Sequence, residues 1–323
     1  MASTHQQTGV WTGAELLIAA RIPMDEGDFP VAASAYDPST DTWRDLRGTS
    51  GPEGNFEGRN RSVWTGAEMI LWGIDNKAFD PKTNTWRKLP TPPMGGGGPA
   101  VVVWTGTRMI GWGGGCCGDN VDEGAAYDPA KNSWKMLPSA PLGGRQSAQG
   151  AWTGREMIVM GGSAAEGPPL ADGAAYNPST RTWRKIGAMP IARAGATATW
   201  DGTEVLVTGG WTTGGKLLDR ADAYNPSTNT WRRLTAMDLP RGGHVAVWTG
   251  TQLLVWGGAE VTPQHGESYD PATDTWSALP RAPLKGRSNP IGVWTGRSLI
   301  VWGGEGLEPT GYRLFDDGAS YTP

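Results

Sequence analysis

The chain has 323 residues, with 49 Gly, 25 Pro, 18 Trp and 2 Cys, and a formal net charge of −4. No apolar run reaches membrane-spanning length, no basic block offers a nucleic-acid footprint, and two cysteines cannot make a disulfide framework. So much Gly and Pro approaches a low-complexity composition, but 18 Trp contradict disorder, so the Gly and Pro belong in many turns.

The N-terminal run Met1 to Gln7 has neither a charged n-region nor an apolar h-region and is not a signal peptide. The compartment stays open between the cytoplasm and secretion after removal of a signal. From Trp11 onward three phrases alternate. Trp-Thr-Gly starts at Trp11, Trp64, Trp104, Trp152, Trp248 and Trp294, with Trp-Asp-Gly at Trp200. An apolar run into Gly-Gly follows, at Gly113, Gly161, Gly209, Gly257 and Gly303. Then comes an aromatic-Asx-Pro phrase with a Trp further on, from Tyr36, Phe79, Tyr127, Tyr176, Tyr224 and Tyr269. A period of roughly 40–50 residues indicates a repeat architecture.

Each unit reads as four strands. The first is short and rich in small or β-branched residues, and Thr-Gly after it signals a hairpin. The second is apolar and stops at Gly-Gly. A loop of varied length leads to the third, which ends at Asp/Asn-Pro, where Pro belongs in a turn. The fourth begins at the Trp. No stretch shows sustained helical periodicity with caps. Four-stranded units of this length cannot bury both faces alone, and radial packing on neighbours is the propeller solution. In this arrangement the repeat Trp residues pack between units.

These linked phrases resemble the kelch repeat, over nearly the whole chain. The wording Val-Trp-Thr-Gly and Val-Trp-Gly-Gly is similar to bacterial kelch proteins related to galactose-oxidase-like propellers. Unit one departs with Ala19-Ala20 in place of Gly-Gly, and unit two with a single Gly73. The seventh unit reaches Tyr321-Thr322-Pro323 with no fourth-strand Trp after it. The expectation is an all-β, seven-bladed kelch-type propeller with a three-stranded last blade, as a single domain over 1–323. Its blade units run roughly over 4–46, 57–89, 97–137, 145–186, 193–234, 241–279 and 287–323. The alternative is a chain cut short of its natural end, and in either case an exposed edge near Tyr321 would be a pairing and aggregation liability.

Function is expected on the face carrying the two variable loop sets, strand two to three and strand four to the next strand one. The kelch resemblance implies the same face. Arg145, Arg193, Arg241 and Arg287 each precede a first strand at the same offset, which puts them around a channel mouth. They can converge on a carboxylate, an acidic sugar or an acidic peptide. They can equally pair with backbone carbonyls or acidic residues such as Glu123, Glu166, Asp172, Asp219 and Glu267. Gly97 and Glu57 at the matching places leave this set incomplete.

The remaining candidate ligand contacts are His244, His265, Trp211, Tyr312 and Arg313. The adjacent Cys116 and Cys117 can form a strained vicinal disulfide or stand as two thiols. Three His and the Asp/Glu loops lack a recognisable metal spacing, so no metal and no cofactor is expected. Galactose oxidase chemistry needs a copper set and a modified Tyr-Cys pair, and every Tyr but Tyr312 belongs to the repeat. The first reading is a monomeric, non-enzymatic binding module for a protein segment or a glycan, with no nucleic-acid or membrane partner. The alternative is an enzyme on an acidic sugar, by resemblance to kelch-type sialic acid epimerases, with Arg holding a carboxylate and His244 or a loop carboxylate moving a proton.

Overall fold

Thr12 shows how the repeat phrase makes a turn. Its Oγ1 accepts the Glu15 N–H at 2.9 Å, and Gly13 between them takes φ 103°. The same hydroxyl bond recurs at Thr65 (2.8 Å), Thr105 (3.0 Å), Thr153 (3.0 Å), Thr249 (2.9 Å) and Thr295 (2.9 Å), and Asp201 replaces it at 2.7 Å. The Asx-Pro phrase makes the other short turn. Asp37, Asp80, Asn177, Asn225 and Asp270 each accept the N–H two residues on at 2.8–2.9 Å, with Pro between. A left-handed residue then closes each turn: Asp41, Asn84, Asn132, Arg181, Asn229 and Asp274.

The computed structural model describes residues 7–21, 31–46, 61–73, 76–95, 97–115, 120–165, 167–258, 265–308 and 311–323. Six antiparallel four-stranded sheets and one three-stranded sheet follow one another along the chain. This is the all-β, seven-bladed propeller class. The chain divides into two compact units, Met1–Gln146 with three blades and Ser147–Pro323 with four.

Two details differ from the sequence reading. Fourth strands start one residue before the Trp, as in Thr230–Arg233, because the Thr pairs with Asn225 across the turn. The segment after Gly304 is not a plain loop. It forms a hairpin, Glu305–Glu308 with Gly311–Leu314, before the last blade's third strand at Gly318–Tyr321.

Alternation along the second strands distributes side chains to both neighbours. In blade five, Val205 and Val207 pack against Ile158 and Met160 of blade four, while Leu206 joins Leu253 and Val255 of blade six. Leu254 and Trp256 of blade six then meet Leu299 and Val301 of blade seven. Each such aliphatic side chain, fully buried, contributes roughly 1.5–3 kcal/mol. In the first unit, blades one and two share a core around Leu17, Met69 and Phe79, and blades two and three one around Ile70, Trp72 and Met109.

Polar links on the outer strands repeat as well. The Trp indole N–H reaches back to the preceding blade: Trp86 to the Leu46 carbonyl at 2.6 Å, Trp134 to Pro90 at 2.8 Å, Trp231 to Gly187 at 2.8 Å and Trp276 to Thr235 at 2.9 Å. The Arg after the Trp forks onto the Glu of its own first turn, in Arg44–Glu15, Arg87–Glu68, Arg184–Glu156 and Arg232–Glu204 at 2.6–2.7 Å. Arg87 and Arg184 also donate to the tyrosine hydroxyl of the next blade, Tyr127 and Tyr224.

Candidate binding site

Arg193, Arg241 and Arg287 sit in the second unit, where each connection enters a first strand. All three are 0% exposed, which decides the direction of their heads. The main chain of each belongs to the preceding blade. The Arg193 carbonyl accepts from Gly162 at 3.0 Å, Arg241 from Gly210 at 2.7 Å and Arg287 from Gly258 at 2.8 Å. The side chain belongs to its own blade. Nη1 donates to the first carbonyl of the Gly-Gly pair: Gly209 at 3.4 Å, Gly257 at 2.9 Å and Gly303 at 3.0 Å. Each Arg is therefore a rivet between successive blades.

The Gly-Gly phrase is needed for this. A Cβ on Gly210 would lie 2.6 Å from the Ala194 carbonyl, and φ there is 92°.

Each guanidinium also meets an acid. Arg193 pairs with Asp222, which Arg220 binds from the other side at 2.6 Å. Arg241 pairs with Glu267 at 2.8 Å, and Arg287 with Asp317 at 2.6 Å. Burial pulls the Arg193 pKa down from its ordinary value and Asp222 opposes this, so the group stays charged. Asp222 and Asp317 are partners that the sequence reading did not name. Both sit where the third strand begins, a position legible only once strand register is known.

Arg145 lies in the first unit, 1% exposed. Its Nε donates to Gly143 at 3.0 Å, its carbonyl accepts from Gly114 at 2.9 Å, and its guanidinium lies 6.0 Å from the Trp112 ring.

Two residues after each Arg, the backbone turns left-handed: Ser147 (φ 51°), Gly195 (φ 60°), Gly243 (φ 65°) and Asn289 (φ 53°). In the second unit these residues form a relay. The Gly195 N–H donates to Ser147 at 3.2 Å, Gly243 to Gly195 at 3.0 Å and Asn289 to Gly243 at 2.6 Å. Sequence reasoning missed this set because three residue types occupy one structural role. The constant offset from Arg was the available signal.

The relay places the aromatic candidate. Trp211 is bridged on both sides, to Ala194 and to Leu217, and is half-buried. Its ring abuts Gly195, where a Cβ would lie 1.7–2.5 Å from three ring carbons. Lys216 and Asp219 beside it are exposed.

His244 is 6% exposed, and its Nε2 is held by the hydroxyls of Thr208 at 2.8 Å and Thr197 at 3.0 Å. Burial first, and the Arg241 charge second, push its pKa down to about 3. It is a neutral wedge between blades five and six. His265 is half-buried, and its carbonyl accepts from Arg241 Nη2 at 3.4 Å. In the terminal hairpin, Tyr312 pairs through its backbone with Leu307. Arg313 is exposed and lies 5.7 Å from Phe315, whose other neighbour is Arg287 at 4.2 Å. Cys116, Cys117 and Glu166 lie outside the described residues.

A family model described as the KLHDC2/KLHL20/DRC7 Kelch-repeats domain matches residues 100–304. The chain belongs to the kelch-repeat family. Among solved structures this kelch chain is similar to YjhT, with a TM-score of 0.56 and 19% identity over 68% of this chain and 76% of that one. That likeness concerns the fold. No curated protein matches. Two solvent-facing features stand out in the second unit among the described residues. One is the Trp211 platform with Lys216, and the other is the Arg313-Leu314 hairpin, with Leu314 38% exposed.

Proposed function

We propose that the chain is a non-enzymatic binding module whose variable loops take a protein segment. The observation that carries this reading is Trp211. It is a large aromatic fixed by two backbone bridges and a glycine seat, yet partly exposed in a loop outside the repeat. Pre-ordered Trp and Arg side chains are the usual anchors of an interface, because little rotamer entropy is lost when they are covered. Arg313 and Leu314 offer a second anchor of the same kind. The enzymatic alternative asks Arg and His heads to turn toward a ligand. Arg193, Arg241 and Arg287 turn into their own blades, and His244 is held by two threonines.

The test is thermal unfolding against short peptides, neutral and acidic sugars, and small carboxylates, on the native chain and on Trp211→Ala and Arg313→Ala variants. A ligand at about 100 times its Kd stabilises by roughly 2.7 kcal/mol. A peptide-dependent shift lost in Trp211→Ala supports the reading. A shift given only by sugars makes the module a glycan binder. A carboxylate shift that survives both variants, accompanied by turnover, overturns it in favour of an enzyme.

A further inference from the structure

The Trp211 loop adds a small sheet at the end of blade five. Trp211 exchanges backbone bonds with Ala194 on one side and lies directly opposite Leu217 on the other. Directly paired residues present their side chains on one face. Both lean on one glycine: a Cβ on Gly242 would lie 2.8 Å from Leu217 Cδ2 and 3.0 Å from Trp211 Cε3. The ring carbons seated on Gly195 and Gly242 are Cε3, Cζ3 and Cη2, the edge remote from Nε1. The indole N–H therefore points away from the seat. It makes no hydrogen bond among the described residues and is not buried. The indoles of Trp86, Trp134, Trp231 and Trp276, by contrast, are all spent on backbone carbonyls.

The main-chain acceptors around this open donor are already in use. The Ala194 carbonyl takes the Trp211 N–H at 2.8 Å, and the Trp211 carbonyl takes the Ala194 N–H at 3.0 Å. The Gly210 carbonyl takes Leu218 and the Lys216 carbonyl takes Thr212, each at 2.9 Å. In the relay the Gly195 carbonyl takes Gly243 at 3.0 Å, and that of Gly243 takes Asn289 at 2.6 Å. Charge is balanced as well. Arg193, Arg241 and Arg287 are matched by Asp222, Glu267 and Asp317. Lys216 and Asp219, exposed to either side of Leu217 and Leu218, carry opposite signs.

A docked group thus meets an aromatic face, an aliphatic wall and one open donor, in a neutral setting. An ordinary peptide unit laid against the ring would bury its N–H without a partner, which costs free energy. A sugar hydroxyl brings the same excess of donors. Proline brings none: it has no N–H, its ring is apolar, and the extended polyproline conformation leaves its carbonyls free to accept.

We propose that the Trp211 site takes a proline of an extended, uncharged segment. The pyrrolidine packs on the indole and Leu217, and a neighbouring carbonyl of the segment accepts the Trp211 Nε1–H. This rests on the reading of the loops as a surface for a protein segment, and it names the residue that the surface selects. A preformed polyproline conformation loses little entropy on docking.

The probe is acetylated hexaproline amide, added to the native chain carrying isotope-labelled tryptophan indoles and followed by NMR, with hexaalanine as the comparison. The Trp211 indole peak is identified by its loss in Trp211→Phe. A saturable shift of that peak is expected with hexaproline and none with hexaalanine. Trp211→Phe keeps an aromatic face and loses the donor, so fluorescently labelled hexaproline should bind it about fivefold more weakly by anisotropy. If that variant fails to fold, the comparison of the two peptides on the native chain decides by itself. Equal affinity for hexaproline and hexaalanine overturns the proline preference and leaves the protein-segment reading standing. Hexaproline binding that Trp211→Phe does not weaken overturns the site. No response to hexaproline, where another peptide gives a thermal shift lost in Trp211→Ala, overturns this inference alone. No response to any peptide overturns the underlying reading too. A Trp211 shift given by neutral sugars and not by hexaproline overturns the inference in favour of a glycan.

Discussion

The Arg241 guanidinium donates to Glu267 at 2.8 Å, with the two side chains 0% and 5% exposed. Glu267 also accepts the Asp238 N–H at 2.8 Å, so its carboxylate ties the connection and the third strand to one buried cation. The related pair in blade seven is built differently, because the Asp317 side chain is 53% exposed.

This contrast sets an order of costs. Glu267→Ala leaves a buried guanidinium without its counter-charge and should destabilise by about 3–5 kcal/mol. Asp317→Asn acts at a solvated partner and should cost less than about 1 kcal/mol. Urea unfolding with an unchanged m-value measures both. Equal costs would mean that Arg241 is solvated and that the rivet reading is wrong.

His244 predicts an acid-side loss of stability. Its folded pKa of about 3 lies below the unfolded value of about 6.5. Between these values the unfolded chain holds the extra proton, so stability rises with pH across the window. As pH falls below about 6.5, His244 should remove about 1.4 kcal/mol per unit. Asp274, lowered mainly by its Tyr269 hydrogen bond, and Asp317, lowered mainly by Arg287, act only below about pH 4. His244→Gln keeps a polar head for Thr197 and Thr208 and should flatten the slope between about pH 6 and 4.5 by one proton. Parallel slopes in variant and native chain would count against the neutral wedge.

Asn229 closes the blade-five turn at φ 57° and accepts from the Tyr224 hydroxyl at 2.8 Å and from the Gly187 N–H of blade four at 2.9 Å. Asn229→Ala loses both bonds and keeps a left-handed backbone, for about 1–3 kcal/mol. Asn229→Gly relieves the backbone alone and should fall between Ala and the native chain. Chemical denaturation ranks the three. A glycine variant no better than alanine would assign the whole effect to the hydrogen bonds.

The arrangement of the candidate site was only partly legible. The offset of Arg193, Arg241 and Arg287 from each first strand located them at the ends of the inner strands. It could not tell which way a flexible guanidinium turns. Glu267 was among the named acids, but Asp222 and Asp317 were not, because each becomes a neighbour only when its third strand pairs in register. Trp211 is legible in the sequence as the one Trp outside the three repeated phrases. Its seat on Gly195 is not, since Ala194 and Trp211 are brought together by a bridge between distant loop residues.

The sequence by itself determined the blades. Period-two apolar strands, Thr and Asx turn hydroxyls and carboxylates, and glycines at left-handed positions act over a few residues, so their pattern fixes seven units and leaves the last with three strands. Tertiary structure alone decided where each Arg spends its charge and which acid it meets. Those outcomes depend on contacts between residues tens of positions apart, where burial and strand register choose among partners that look equivalent along the chain.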